Sequence, residues 1–93
     1  MEFLAINRPL AGTTHEDLAA VIPDHLRWIA HGLAAGRIVR AGAWGHGGMC
    51  IIAAPDQDGA ERILRGDPLL THGLVDVEMA AITPTTAAPA RPR

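Results

Sequence analysis

The stretch Arg-Ile-Val-Arg-Ala-Gly-Ala-Trp-Gly-His-Gly-Gly-Met-Cys-Ile-Ile-Ala-Ala, residues 37–54, decides the fold of this chain. Residues 37–44 are rich in small and β-branched apolar side chains and read as a strand. Gly45-His46-Gly47-Gly48 reads as a turn. Residues 49–54 are apolar on both faces, which is the pattern of a central strand. So short a connection predicts an antiparallel hairpin.

Outward toward the N-terminus, Thr13 or Thr14 can cap a helix that runs to Gly36, with Glu16 and Asp17 favourably placed in its first turn. Pro23 predicts a kink or break near Val21 and Ile22, because it lacks an N–H and its ring clashes with the preceding turn. At 100° per residue, Leu18, Ile22, Leu26, Ile29 and Leu33 lie within about 80° of one another and predict the buried stripe. His25 falls at the edge of that stripe, while Asp24, Arg27 and His31 lie opposite. Residues 2–7 read as a first strand and Arg8-Pro9-Leu10-Ala11-Gly12 as a loop.

Outward toward the C-terminus, Pro55-Asp56-Gln57-Asp58 opens a second helix with Ala60, Ile63 and Leu64 inward and Gly66 at its end. Asp67-Pro68 reads as a stop. Residues 73–82 alternate, with Val75, Val77, Met79 and Ala81 on one face and Asp76 and Glu78 on the other, so they form a fourth strand. Residues 84–93 hold three prolines and read as a disordered or polyproline tail after a domain of residues 1–83.

The order is therefore βαββαβ, an α+β, ferredoxin-like arrangement. Two right-handed crossovers put both helices on one face of a four-stranded antiparallel sheet and leave the other bare. The third strand presents Cys50, Ile52 and Ala54 on one side and Met49, Ile51 and Ala53 on the other, so the bare face is apolar. A second copy packed sheet against sheet would cover it. The chain has 93 residues and three aromatics, Phe3, Trp28 and Trp44, which make a thin core and also favour a homodimer or higher homo-oligomer. A pocket is then expected in the space that two thin subunits leave between them.

Composition excludes other classes. Eight basic against ten acidic residues, net charge −2, is the wrong balance for nucleic acid. No segment approaches the roughly 20 apolar residues of a membrane helix. The opening Met-Glu-Phe-Leu has no basic region of a secretory signal, and Cys50 stands alone, so the cytoplasm is the expected compartment.

His25 is the first candidate for chemistry. A histidine near the apolar stripe of a helix is either bonded to a backbone carbonyl or serves as a general base, since imidazole titrates near neutral pH. A base would want an orienting carboxylate, and Asp67 is the natural candidate, although Asp-Pro after a helix is also a plain stop. His46 in the glycine turn and His72 beyond the Asp67-Pro68 corner could line a pocket mouth, and Trp44 could form an aromatic wall or simply pack. His15 and His31 read as solvated, and Cys50 as a small buried hydrophobe. No histidine pair has the spacing of a helical metal site, and the glycine turn joins two strands where a phosphate loop would open a helix. Neither a metal nor a cofactor is expected.

His25-Leu26, Gly36-Arg37, Ala41-Gly42, Asp67-Pro68 and Gly73-Leu74-Val75, in this order and spacing, resemble the YCII-related family over residues 2–84. The resemblance implies a dimeric α+β barrel of ferredoxin-like subunits and a site made of a His–Asp pair, here His25 and Asp67. That barrel superfamily is also similar to muconolactone isomerases and cofactor-free monooxygenases, and it includes dehydrohalogenating lyases. This chain departs from the family in having Ile22 where many members have Arg three residues before the histidine, and Gly42-Ala43 in place of Gly-Pro. The missing Arg weakens any case for an anionic substrate. Three functions follow as expectations. The first is a cofactor-independent isomerase or lyase acting on a small carbonyl or lactone compound. The second is a non-catalytic ligand-binding or accessory module. The third is a cofactor-free monooxygenase on an aromatic polyketide, with Trp44 or Trp28 lining the pocket.

Overall fold

The structure is a computed structural model and describes residues 1–85. At its centre, β2 (Ile38–Trp44) and β3 (Gly47–Ala53) pair antiparallel with Trp44 opposite Gly47, so only Gly45 and His46 connect them. Gly45 takes φ 58°, the left-handed conformation that a two-residue hairpin needs. Gly47 and Gly48, expected in the turn, belong to the strand. A Cβ on Gly47 would collide with the backbone oxygen of Asn7 in β1 (Glu2–Pro9), so a glycine lets β3 begin hard against β1.

β1 pairs with β3 on one side and with β4 (Val75–Ile82) on the other, giving an antiparallel sheet of order β2-β3-β1-β4. β1 is longer than expected. Arg8 faces Asp76 and Pro9 faces Val75, where the sequence suggested a loop. Proline is tolerated there because the pairing with β3 has ended at Asn7, leaving β1 with a neighbour on the β4 side only.

α1 (His15–Ala35) begins at Thr14 in a reciprocal capping box. The Thr14 hydroxyl accepts from the Asp17 N–H, and the Asp17 carboxylate accepts from the Thr14 N–H, which holds the Asp17 carboxyl below the usual carboxylate range. Gly36 ends the helix in the left-handed conformation, φ 77°. The break expected at Pro23 does not occur, and one helix runs through it. Pro23 and Ala19, the residues at the lost bond, are both exposed, so water can meet the freed carbonyl.

The buried stripe of α1 is turned by about 60° from the one predicted. Val21 and Gly32 are buried, while Leu26 and Leu33 are 58% and 46% exposed. Gly32 sets the rotation. A Cβ there would stand 2.5 Å from Ile38 Cδ1, so α1 reaches β2 over a glycine, and the larger leucines are turned outward. His25, read at the stripe's edge, becomes part of its centre.

α2 (Gln57–Leu64) is capped by Asp56, whose carboxylate accepts the Gly59 N–H at 2.8 Å. A short α3 (Pro68–Thr71) follows, where only a stop was read. Phe3, Ala5, Ile38, Cys50, Ile52 and Ala54 of the sheet side bury against Ala60 and Leu64, with Trp28 and Ile29 of α1 packed on the same cluster. Both main helices therefore cover one sheet face. The opposite face carries half-buried Leu4, Ile6, Met49, Ile51 and Ala53, and no described helix packs on it. Residues 84–85 follow β4 as irregular chain, and the rest of the tail lies outside the described residues.

A candidate active site between helix and sheet

Asp67 is the residue around which the site is built. It is 2% exposed, the only buried charged or polar side chain among the described residues. Locally it is the N-cap of α3, and its Oδ1 accepts the Leu69 N–H at 3.0 Å. Pro68 suits the first helical position, where an N–H has no partner anyway. Asp-Pro here both ends one helix and starts the next. Gly66 before it leaves room for Trp28, since a Cβ there would stand 2.9 Å from the indole Nε1.

The same Oδ1 lies 2.7 Å from Nδ1 of His25, a contact spanning 42 residues of sequence. An ionised carboxylate only accepts, so Nδ1 donates. The neutral ring then keeps its lone pair on Nε2, the nitrogen left to meet a ligand. Trp28, one turn along α1, stacks against the imidazole with centroids 6.1 Å apart. One face is packed and one nitrogen is bonded, so the ring is held in place.

His25 and Asp67 border a partly open cavity of about 450 Å³ between α1 and the helix-side face of the sheet. All of its described lining residues come from one chain. Its wall is mostly aliphatic, including Leu18, Ile22, Ile29, Leu69 and Val75, and among the described residues no arginine lines it. That size and polarity suit a small, mostly apolar molecule. His46 lines the cavity from the hairpin end. Trp44 does not; it is 56% exposed. His72 also lies outside the wall, exposed, with Nδ1 2.9 Å from the Pro68 oxygen. Trp28 reaches the site by packing on His25 and is not part of the cavity lining.

Two lining residues with polar side-chain atoms, Asn7 and Cys50, were not singled out for the site from sequence. The signal for Asn7 was present: Phe3, Ala5 and Asn7 share one parity of β1, so an amide stands where the pattern is buried and apolar. Cys50 is buried, and desolvation together with the negative charge of Asp67 pushes its thiol up to about 11. This predicts an inert thiol. At pH 8 iodoacetamide labels Cys50 at least about a hundredfold more slowly in the folded protein than in urea, as followed by mass spectrometry; equal rates would contradict it. Because the folded-state value is raised, the unfolded chain loses this proton first, so stability falls as pH rises from about 9 to about 11.

Among the described residues no three His, Cys, Asp or Glu side chains gather as a metal site, and no helix is long and apolar enough to cross a membrane. The sequence model of the YCII-related domain matches residues 1–83. No curated protein matches the chain in sequence. Among solved structures, a 5-chloro-2-hydroxyhydroquinone dehydrochlorinase from Burkholderia phenoliruptrix, in complex with 2,5-dihydroxybenzoquinone, is similar with a TM-score of 0.74 and 19% identity, covering 89% of this chain and 94% of that one. A muconolactone isomerase is similar with a TM-score of 0.72 and 13% identity over 100% of both chains. At these identities the likeness is one of fold.

Proposed function

The chain belongs to the YCII-related domain family, and from that premise we propose that it is a small, cofactor-independent enzyme that moves a proton on a neutral carbonyl or lactone compound. The observation that carries this reading is the His25 Nδ1–Asp67 Oδ1 contact of 2.7 Å at the wall of an apolar cavity. A backbone carbonyl was the alternative partner read from the sequence, and the ring is paired with a carboxylate instead. Here a nearly fully buried carboxylate fixes the ring's tautomer and stabilises the imidazolium that forms when Nε2 takes a proton.

In the isomerase form, Nε2 removes a proton from the carbon next to the carbonyl. The C–H electron pair becomes part of an enolate, and the imidazolium returns the proton further along the conjugated system. In the lyase form, a leaving group departs with the electron pair. The two fold relatives act in these two ways by name, one as an isomerase and one as a dehydrochlorinase. A wall with no arginine among the described residues favours neutral substrates over carboxylates. The test is turnover of α-angelica lactone, a neutral five-membered unsaturated lactone, followed by the ultraviolet absorbance of its conjugated isomer. A parallel assay measures chloride release from 5-chloro-2-hydroxyhydroquinone. Failure to accelerate either reaction, and to exchange the lactone's α-hydrogen with deuterated water, would overturn the reading.

The bare sheet face supports a homodimer as the working unit. Leu4, Ile6, Met49 and Ile51 form an apolar centre with Arg8, Arg40 and Glu78 around it. Sedimentation equilibrium is expected to give twice the chain mass, and Ile51→Glu to give a monomer. A monomeric parent protein at high micromolar concentration would refute this.

A further inference from the structure

Asn7 has a posture that the proton-transfer pair does not explain. It is the last β1 residue paired with β3, half-buried, on the same side of the sheet as Phe3 and Ala5. Its Oδ1 accepts the Gly48 N–H at 3.1 Å. Only the oxygen of an amide can accept, so this bond fixes which way the amide is turned. Nδ2 is left with two N–H donors and no protein acceptor among the described residues.

The surrounding backbone keeps this arrangement open. A Cβ on Gly47 would collide with the Asn7 carbonyl oxygen. One on Gly48 would stand 3.3 Å from Nδ2 and 3.3 Å from the Gly42 oxygen. Two consecutive glycines therefore let the amide lie over the end of β3. Asn7 lines the same cavity as His25 and Asp67. Free donors on a mostly aliphatic wall are unpaired within the protein and are open to an occupant that accepts from them.

We infer that the Asn7 Nδ2 group is the cavity's second functional element, a fixed donor that binds the carbonyl oxygen of a neutral carbonyl substrate. A neutral amide donor, on a wall with no arginine among the described residues, matches a ketone or lactone oxygen better than a carboxylate. The catalytic consequence rests on His25 acting as the base. When the α C–H bond breaks and its proton passes to Nε2, the electron pair forms a C=C bond and the carbonyl oxygen becomes an enolate oxygen. A donor already aimed at that oxygen strengthens as the charge develops. The proton then returns from the imidazolium to the far carbon, the carbonyl re-forms, and both residues are restored.

The experiment separates binding from catalysis. γ-Valerolactone is neutral, saturated and unable to isomerise. It is titrated into the ¹⁵N-labelled protein and into its His25→Ala variant while the side-chain amide signals are followed by NMR. The Asn7 amide protons are expected to move downfield and saturate in both proteins. Asn7→Asp can still accept from Gly48 but donates nothing, so it is expected to weaken binding by about tenfold. With the melting temperature preserved, it is also expected to lower kcat on α-angelica lactone by about 10²–10³-fold, more than it raises KM. Shifts of other cavity residues without the Asn7 amide, or no shift in either protein, would overturn the inference. If the Asn7 amide responds in both proteins while α-angelica lactone is not turned over, the donor site stands and the proton-transfer reading falls.

Discussion

Replacing His25 by Ala is expected to lower turnover of α-angelica lactone by about 10²–10⁴-fold, the usual contribution of a positioned general base. No other cavity-lining group can take over. Cys50 keeps its proton until about pH 11, and Asp67 stays tied to the α3 N-terminus through the Leu69 N–H. His46 lines the same cavity from the hairpin end, but among the described residues no carboxylate pairs with it. The variant also removes the partner of a buried carboxylate and so threatens the fold. His25→Asn is the companion: its amide can donate toward Asp67 but cannot accept a proton at neutral pH. Loss of turnover in both variants, with the Asn form melting near the parent, assigns the effect to the base. Parent-like activity in His25→Asn would remove His25 from the mechanism.

Asp67 is expected to divide stability from catalysis. Asp67→Ala deletes the α3 cap and strands the His25 Nδ1–H in a buried place, which should destabilise the protein by about 3 kcal/mol. That is a large fraction of what a single small domain has, and urea unfolding should show it as a much lower midpoint. Asp67→Asn keeps an oxygen for the Leu69 N–H and the imidazole, so it should lose only about 1 kcal/mol. Yet it can no longer stabilise an imidazolium, and turnover should fall by at least about a hundredfold. Removing the charge should also let the Cys50 thiol ionise at lower pH, because Asp67 is one of the two causes that raise it. A fully active Asp67→Asn would mean the carboxylate serves the fold alone.

The site was partly legible in the sequence because its two principal residues carry local signals. His25 interrupts an apolar stripe, and Asp67 sits at a helix boundary. Their contact was not legible from spacing, since 42 residues separate them. Asn7 is the last residue of the strand read over residues 2–7, next to the predicted loop, where a polar side chain is ordinary. α3 was missed for a related reason. Asp-Pro ends a helix by one rule and begins one by another, and only the Leu69 N–H on the Asp67 carboxylate selects the second. Trp44 and His72 were drawn toward the pocket by their type, but a hairpin-end tryptophan and a histidine beyond a helix end follow the local backbone outward.

The amino-acid sequence by itself determined the order of strands and helices. Strand alternation, capping threonine and aspartate, and terminal glycines are decided by neighbours along the chain. It also determined that one sheet face would be left without a helix, since two helices cover only one side. The tertiary structure decided how α1 is rotated and hence what surrounds the cavity. Periodicity weighs large apolar residues and turned the helix toward Leu26 and Leu33. Close packing instead favours the smallest residue at the tightest approach, and Gly32 against Ile38 turned it the other way. That rotation moved His25 from the edge of the stripe into the protein, beside the one buried carboxylate among the described residues.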